Sequence, residues 1–348
     1  MEIKDLTLDR EGLIEAIATE DAAFDEQLRA AAYRTKIATV GEKVYLRGLI
    51  EISNICVKNC LYCGIRHDIP CQRYELSDDE VLSAAQAAAR RHFGSVVIQG
   101  GERTDAAFIR KVTRLLKAIK AIDTGEDPPL GITLSLGEQP REVYQEWFEA
   151  GAHRYLLRIE SSNPNLYRRI HPDDPLHSYE RRMQAILDLK EIGYQAGTGA
   201  MIGVPFQTTQ DLADDLLLYK KLDVPMVGMG PYNPHPDSPL TLSGATYPTA
   251  ERRFTLGLKM IALLRLLMPD INIAAATSLE ALSDSGRVKG ILSGANVIMP
   301  NVTPEEQMIK YNLYDRKTLV RDGSLKLSLP DDIPVGYGAW GDSLHFKR

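Results

Sequence analysis

Three of the four cysteines in this chain of 348 residues stand within eight positions of one another. Cys56, Cys60 and Cys63 form a C-x3-C-x2-C pattern in "ISNICVKNCLYCGIR" at 52–66. Thiols so spaced in a loop can hold a metal, pair with each other or do neither. A structural zinc site takes four N or S ligands, usually from two paired clusters, and no second C-x2-C or H-x3-H follows here. A disulfide would leave one thiol over and suits an oxidising compartment. An iron–sulfur cubane held by three thiolates fits better, and it leaves one iron open to a ligand that the protein does not supply. Cys71 falls outside the pattern and reads as an ordinary buried or surface thiol.

Other residue types that could do chemistry recur where apolar runs end. "SVVIQG" at 95–100 leads into Gly100-Gly101-Glu102, where missing side chains let main-chain carbonyls approach a small cation. In "RYLLRIE" the period of two puts Arg154, Leu156, Arg158 and Glu160 on one face, with an acid at its end. Charges on an interior face are costly unless paired or ligated, so Arg158 and Glu160 read either as a ligand site or as an ion pair that satisfies itself. "HSYERRMQAILDLKEIGY" offers two adjacent arginines, of which Arg182 is preferred over Arg181 for reaching a carboxylate through its two-pronged guanidinium. His235, in the proline-rich "PYNPHPDSP", is read as a gate or a surface turn and not as a base.

The elements that must carry these residues have a regular rhythm. Eight segments read as strands: 44–53, 95–100, 131–137, 154–160, 194–203, 224–230, 271–278 and 295–300. Amphipathic segments separate them. "SDDEVLSAAQAAARRHFG" opens on Ser77 as an N-cap and closes on Gly94, while "PREVYQEWFEAG" runs from Pro140 to Gly151. Strand and helix alternate eight times with no Ser/Gly/Pro-rich linker, which predicts a full closed parallel (β/α)8 barrel of the TIM type, an α/β fold, over 44–300. An Ala-rich helical extension (1–43) precedes it, and an irregular tail (301–348) lies over one end. Residues at the strand exits are then the first candidates for function, and the cysteines follow the first strand directly.

Bulk properties exclude several classes. A net charge of -6 and a pI near 5.7 give no basic footprint for nucleic acid or anionic lipid. Apolar runs such as "MIALLRLLMPD" are broken by charge and proline, so no membrane span is expected. The acidic N-terminus lacks the features of a secretory signal, and the cysteine usage is not that of a disulfide scaffold; a cytoplasmic location is expected.

The C-x3-C-x2-C spacing with Tyr62 before the third cysteine resembles the signature of the radical S-adenosylmethionine superfamily. The resemblance implies one 4Fe-4S cluster ligated by Cys56, Cys60 and Cys63, whose open iron chelates S-adenosylmethionine and delivers the electron that cleaves it to a 5′-deoxyadenosyl radical. By the same resemblance Gly100, Gly101 and Glu102 receive the ammonium of the methionine moiety, and Arg182 its carboxylate. Glu160 would hold the ribose hydroxyls, the segment from Met201 to Val204 would face adenine, and Tyr62 and Ser135 would complete the cofactor pocket.

Phrases such as "SLGEQPRE" and "PHPDSPL" narrow the likeness to the HydE family of FeFe-hydrogenase maturases over about 44–301. That family implies a cysteine-bound iron carbonyl cyanide substrate. It also implies a ferredoxin or flavodoxin as electron donor and other maturation proteins as partners. Arg158, Thr277 and Met299 are the candidates for gripping the substrate, with plain core packing the competing reading for Met299. Departures at Ala275-Ala276-Thr277 and at Arg103 leave open a related enzyme acting on a small organic substrate, in the manner of methylornithine synthase or biotin synthase. Replacing any one of Cys56, Cys60 or Cys63 by Ala is expected to abolish bound 4Fe-4S, whereas Cys71→Ala keeps it. Iron and sulfide counts on anaerobically reconstituted protein check this.

Overall fold

Val44–Ser53 makes the longest strand, β1, and the main sheet is built outward from it. The computed structural model describes residues 2–315, 317, 333–338 and 345. Its further strands are β2 (Ser95–Gly100), β3 (Gly131–Ser135), β4 (Arg154–Leu156), β5 (Gln195–Thr198), β6 (Met201–Ile202), β7 (Met226–Val227), β8 (Gly230–Pro231), β9 (Asn272–Ile273), β10 (Val297–Ile298) and β11 (Val335–Gly336). All pairings among them are parallel, and the main path runs β10-β1-β2-β3-β4-β5-β7-β9. Each of the eight predicted segments therefore supplies one strand to a curled α/β sheet. At the two ends of the path, β9 and β10 meet at a single parallel bridge, Ala274 with Val297, where Ala275 N donates to Val297 O (2.9 Å) and Asn296 N to Ile273 O (3.0 Å).

Several strands are shorter than their apolar runs. The 194–203 and 224–230 segments each break at glycine: a Cβ on Gly199 would lie 2.1 Å from Gly228 O, so glycine at 199 is needed for the two segments to touch. Beyond the break, β6 pairs with β8 as a separate ladder. In the seventh segment the strand stops at Ile273 and a helical turn starts at Thr277. Strand register therefore does not place Thr277, contrary to expectation.

Helices form where capping and periodicity agree. α1 (Arg10–Ala18) and α2 (Ala22–Thr39) precede β1. α3 (Asp78–Arg90) opens on the expected Ser77 with a complete capping box to Glu80, but it ends at Arg90. Gly94, expected to close that helix, instead takes φ 71° in the turn into β2. α4 (Ala106–Lys120) buries Phe108, Val112, Leu115, Leu116 and Ile119 on one side, each worth about 2 kcal/mol of burial. α5 (Arg141–Glu149), α6 (Pro164–Ile170), α7 (Tyr179–Ile192) and α8 (Thr209–Lys221) follow. α7 ends on Gly193 at φ 105°. Among the described residues no helix is long and apolar enough to cross a membrane.

The described parts of the tail lie at both ends of β1. Residues 301–315 lie by the exit of β1, where Asn54 Nδ2 donates to Lys310 O (2.9 Å) and Gly64 N to Leu313 O (2.9 Å). Val335 and Gly336 pair instead with Val44 and Tyr45 at the entry of β1. The β1–β2 register starts only at Arg47, and the backbone edge left at Val44 and Tyr45 is the one that this pairing covers. The remainder of the tail lies outside the described residues.

The two leading helices are fastened by buried charge. Lys259, in the helix Ala250–Leu267, pairs with Asp25 at 2.8 Å and donates to Thr19 O at 2.6 Å. Removing one partner of such a pair strands the other in a dry site. Lys259→Ala is expected to cost about 3 kcal/mol in urea unfolding, and an unchanged midpoint would mean that the fastening contributes nothing.

Candidate metal and cofactor site

After Ser53 the chain reaches Asp78 with no helix and only one bridge, Ser53 with Glu75. A loop of this length must satisfy its carbonyls by other means. Arg73 does much of this. One terminal nitrogen of its guanidinium donates to Asn54 O (2.6 Å) and Ile65 O (2.8 Å), and the other to Arg66 O (2.5 Å), His67 O (3.0 Å) and Ile69 O (3.2 Å). Asn54 closes the same loop from its start, donating to Gln72 O and accepting from Tyr74 N.

The predicted glycines sit against this loop. A Cβ on Gly101 would lie 2.3 Å from Ile55 O and 2.8 Å from Cys56 Cβ. Val57 N donates to Glu102 O (2.9 Å), and Glu102 N to Cys56 Sγ (3.3 Å). The glycine step at the β2 exit is thus required by the approach of the cysteine loop itself.

Burial pushes all three loop thiols up, Cys63 to about 12, and the three act on one another. Without a cation between them they stay protonated. A cluster of positive irons is the kind of group that would draw them into thiolates. Among the described residues, no three His, Cys, Asp or Glu side chains gather as one metal ion requires. A cluster does not need such a gathering, because each thiolate serves a different iron. The donor set fits a cluster and does not fit zinc.

Beside the thiols lies a buried ring of charge. Lys58, inside the cysteine motif, pairs with Glu102 (3.2 Å) and Glu138 (3.3 Å). Arg182 Nε donates to Glu138, and its Nη1 donates to Arg158 O (2.8 Å). Glu138 N in turn donates to Glu102 Oε2 (2.8 Å). Burial would raise both acids; Arg182 and Lys58 bring Glu138 below the usual carboxylate range, while Glu102 stays above it. Arg181 reaches Glu138 only from a half-exposed position. Glu138 was missed as a site residue because a lone acid in "SLGEQ" has no spacing partner. Its signal was the strand exit on which it stands, shared with Ser135, which is half-buried and in register with Gln99.

Tyr62 and Met201 are brought together. They share an apolar cluster with Leu61, Leu166, Ile170, Val204, Tyr232 and Leu240. Glu160 lies nearby with φ 65°, a left-handed conformation that a non-glycine residue adopts only when its surroundings impose it. It is held by Glu160 N to Gly199 O (3.0 Å) and paired with Arg158 at 2.8 Å. Burial raises its carboxyl, and Arg158 only partly offsets this. Period-two alternation therefore fails after Leu156, although Arg158 and Glu160 still meet. Met299 stands outside that cluster and lines a small cavity of about 30 Å³ with Arg47, Thr133 and Met226. Thr277 is half-buried at the start of its helical turn, and His235 is buried beside Gly64 and Asn312 rather than on the surface. Cys71 is exposed.

Residues 50–218 match the radical SAM superfamily. The FeFe hydrogenase maturase subunit HydE of Thermotoga maritima is 44% identical over 313 residues, 89% of this chain and 85% of that protein. The chain belongs to the radical SAM superfamily. Membership implies a 4Fe-4S cluster and S-adenosylmethionine, and with HydE as a close homologue it makes this protein a radical SAM enzyme. Among solved structures, methylornithine synthase (PylB) superposes on this radical SAM chain with a TM-score of 0.75 at 23% identity, over 92% of this chain and 89% of that one. HydG, a maturase of the FeFe-hydrogenase, gives 0.74 at 19%, over 90% and 73%. At these identities the two structures speak for the fold alone.

Arg73→Ala leaves several loop carbonyls without a donor, so the iron-free protein is expected to be cut by trypsin at Arg66 at least about tenfold faster, the scale of one or two lost hydrogen bonds to a charged group. Cleavage at the wild-type rate would show that the loop stands without Arg73.

Proposed function

We propose that this radical SAM enzyme carries a single cluster on Cys56, Cys60 and Cys63 and acts, as HydE does, in maturation of an FeFe hydrogenase. Its substrate would be a cysteine-bound iron carbonyl cyanide species. The observation that carries this reading is the extent of the HydE likeness, which spans the cysteine loop, the "SLGEQPRE" exit and the β6 segment together. The bound cluster would supply the electron that splits S-adenosylmethionine homolytically.

The chain's own residues do the holding. Arg182 Nη2 lies 4.0 Å from Glu102 Oε2, beyond hydrogen-bond length, which leaves that corner of the guanidinium for a ligand carboxylate. Glu102 and Gly100-Gly101 offer carboxylate and main-chain oxygens to an ammonium. Glu160 presents buried oxygens for ribose hydroxyls, with one of them short of a hydrogen-bond donor despite its ion pair. Ser135 lies at the adjoining strand exit. Tyr62, Met201 and Val204 give the apolar surface that an adenine base needs. Arg158, with Nε buried and unbonded, is the cation we assign to an anionic substrate; Met299 lines the small cavity with Arg47, and Thr277 stands at the start of its helical turn. The bridge between Ala274 and Val297 supports reading the curled sheet as a closed barrel around that cavity. We further propose residues 1–43 as an extension, 44–300 as the barrel and 301–348 as a tail, with a ferredoxin or flavodoxin as reductant and a cytoplasmic setting.

Reconstituted protein with dithionite is expected to release 5′-deoxyadenosine, and to restore hydrogenase activity in an FeFe-hydrogenase maturation system lacking HydE. Release of 5′-deoxyadenosine without such restoration would favour a small organic substrate instead. Arg182→Ala is expected to raise the S-adenosylmethionine concentration needed for cleavage by about tenfold or more, as for loss of a charged hydrogen bond, with iron content unchanged. Unaltered affinity would remove Arg182 from the cofactor.

A further inference from the structure

Between α6 and α7 the chain runs "HPDDPLH", His171 to His177, and both histidines are buried against the cysteine loop. We infer that this turn is a clamp that fixes the cluster-binding loop through two imidazole nitrogens, each kept free of a proton by what its partner nitrogen donates to.

The tautomers follow from the partners. His177 Nδ1 lies 2.7 Å from Asp174 Oδ1, a carboxylate that can only accept, so Nδ1 carries the hydrogen. Nε2 is then bare and accepts from Asn59 N at 2.9 Å, the main-chain amide immediately before Cys60. Asp174 is itself fixed, accepting from Leu176 N (2.8 Å) and His177 N (3.1 Å). His171 repeats the arrangement. Its Nδ1 donates to Tyr167 O at 2.9 Å, so its Nε2 accepts from the Tyr62 hydroxyl at 3.3 Å. The His171 ring is stacked on Tyr167 at 4.0 Å between centroids and cannot turn without losing that contact. One histidine thus anchors the main chain between Cys56 and Cys60, and the other the side chain between Cys60 and Cys63. Burial lowers both imidazoles, His171 to about 3, which keeps them as neutral acceptors. These are positioning residues, since neither touches a thiol.

The inference rests on the three-cysteine loop as the cluster site, but the clamp itself can be read without iron. Hydrogen exchange of residues 57–62 in the iron-free protein and release of iron to a chelator from the reconstituted protein are the two measurements. His177→Gln places an amide oxygen where Nε2 stood and is expected to stay within about twofold of wild type in both. His177→Asn is too short, and with His177→Ala it is expected to exchange and to release iron about tenfold faster, the scale of one buried hydrogen bond. Should His177→Ala fail to fold, Asp174→Ala carries the test: it removes the one oxygen, Oδ1, that accepts from His177 Nδ1, so nothing there keeps Nε2 bare, and rates between those of wild type and about tenfold faster are expected, with wild-type rates overturning the clamp. Rates for Ala equal to wild type, or for Gln equal to Ala, would overturn the clamp. A wild type that takes up no iron would instead sink the cluster reading, while the exchange pattern would still decide the clamp.

Discussion

Everything in this protein's candidate chemistry depends on holding an irregular loop still. Three thiols must face a common space, yet the segment that bears them has no ladder or helix to fix it. The carbonyls are gathered by one guanidinium, Arg73, and the glycine step at the β2 exit lets the neighbouring strand end press directly on the loop. A guanidinium is suited to this because its planar nitrogens stay charged and point in fixed directions. Lysine would offer a single point of attachment.

Around that loop the structure stores charge rather than avoiding it. Two cations and two acids lie buried beside the thiols, each satisfied by more than one partner. Such a network favours one arrangement over others, because any member that leaves strands its partners in a medium where an unpaired charge costs several kcal/mol. On the proposed assignment, a zwitterionic ligand would find ammonium and carboxylate partners already desolvated and oriented, so that little reorganisation would be required on binding.

What the sequence made legible was local. The N-cap at Ser77 and the eight apolar runs are patterns within a few residues, and each has its counterpart in the structure; the cysteine spacing is a pattern of the same local kind. Strand lengths were overread because an apolar run does not reveal where glycine contacts or a helix start will end pairing, as at Gly199 and Thr277. Arg73, Glu138, His171 and His177 were not legible as site residues. Their importance lies in partners far away in sequence, Glu138 with Lys58 and Arg182 for example, and nothing in composition or period marks such a partnership.

The central claim is that the loop's three thiols leave one iron of a four-iron cluster without a protein ligand. Mössbauer spectra of the anaerobically reconstituted, iron-57-enriched protein test it most directly. The account predicts that adding S-adenosylmethionine shifts the signal of one iron in four and leaves the other three as they were. Four equivalent irons, unmoved by the nucleotide, would contradict it.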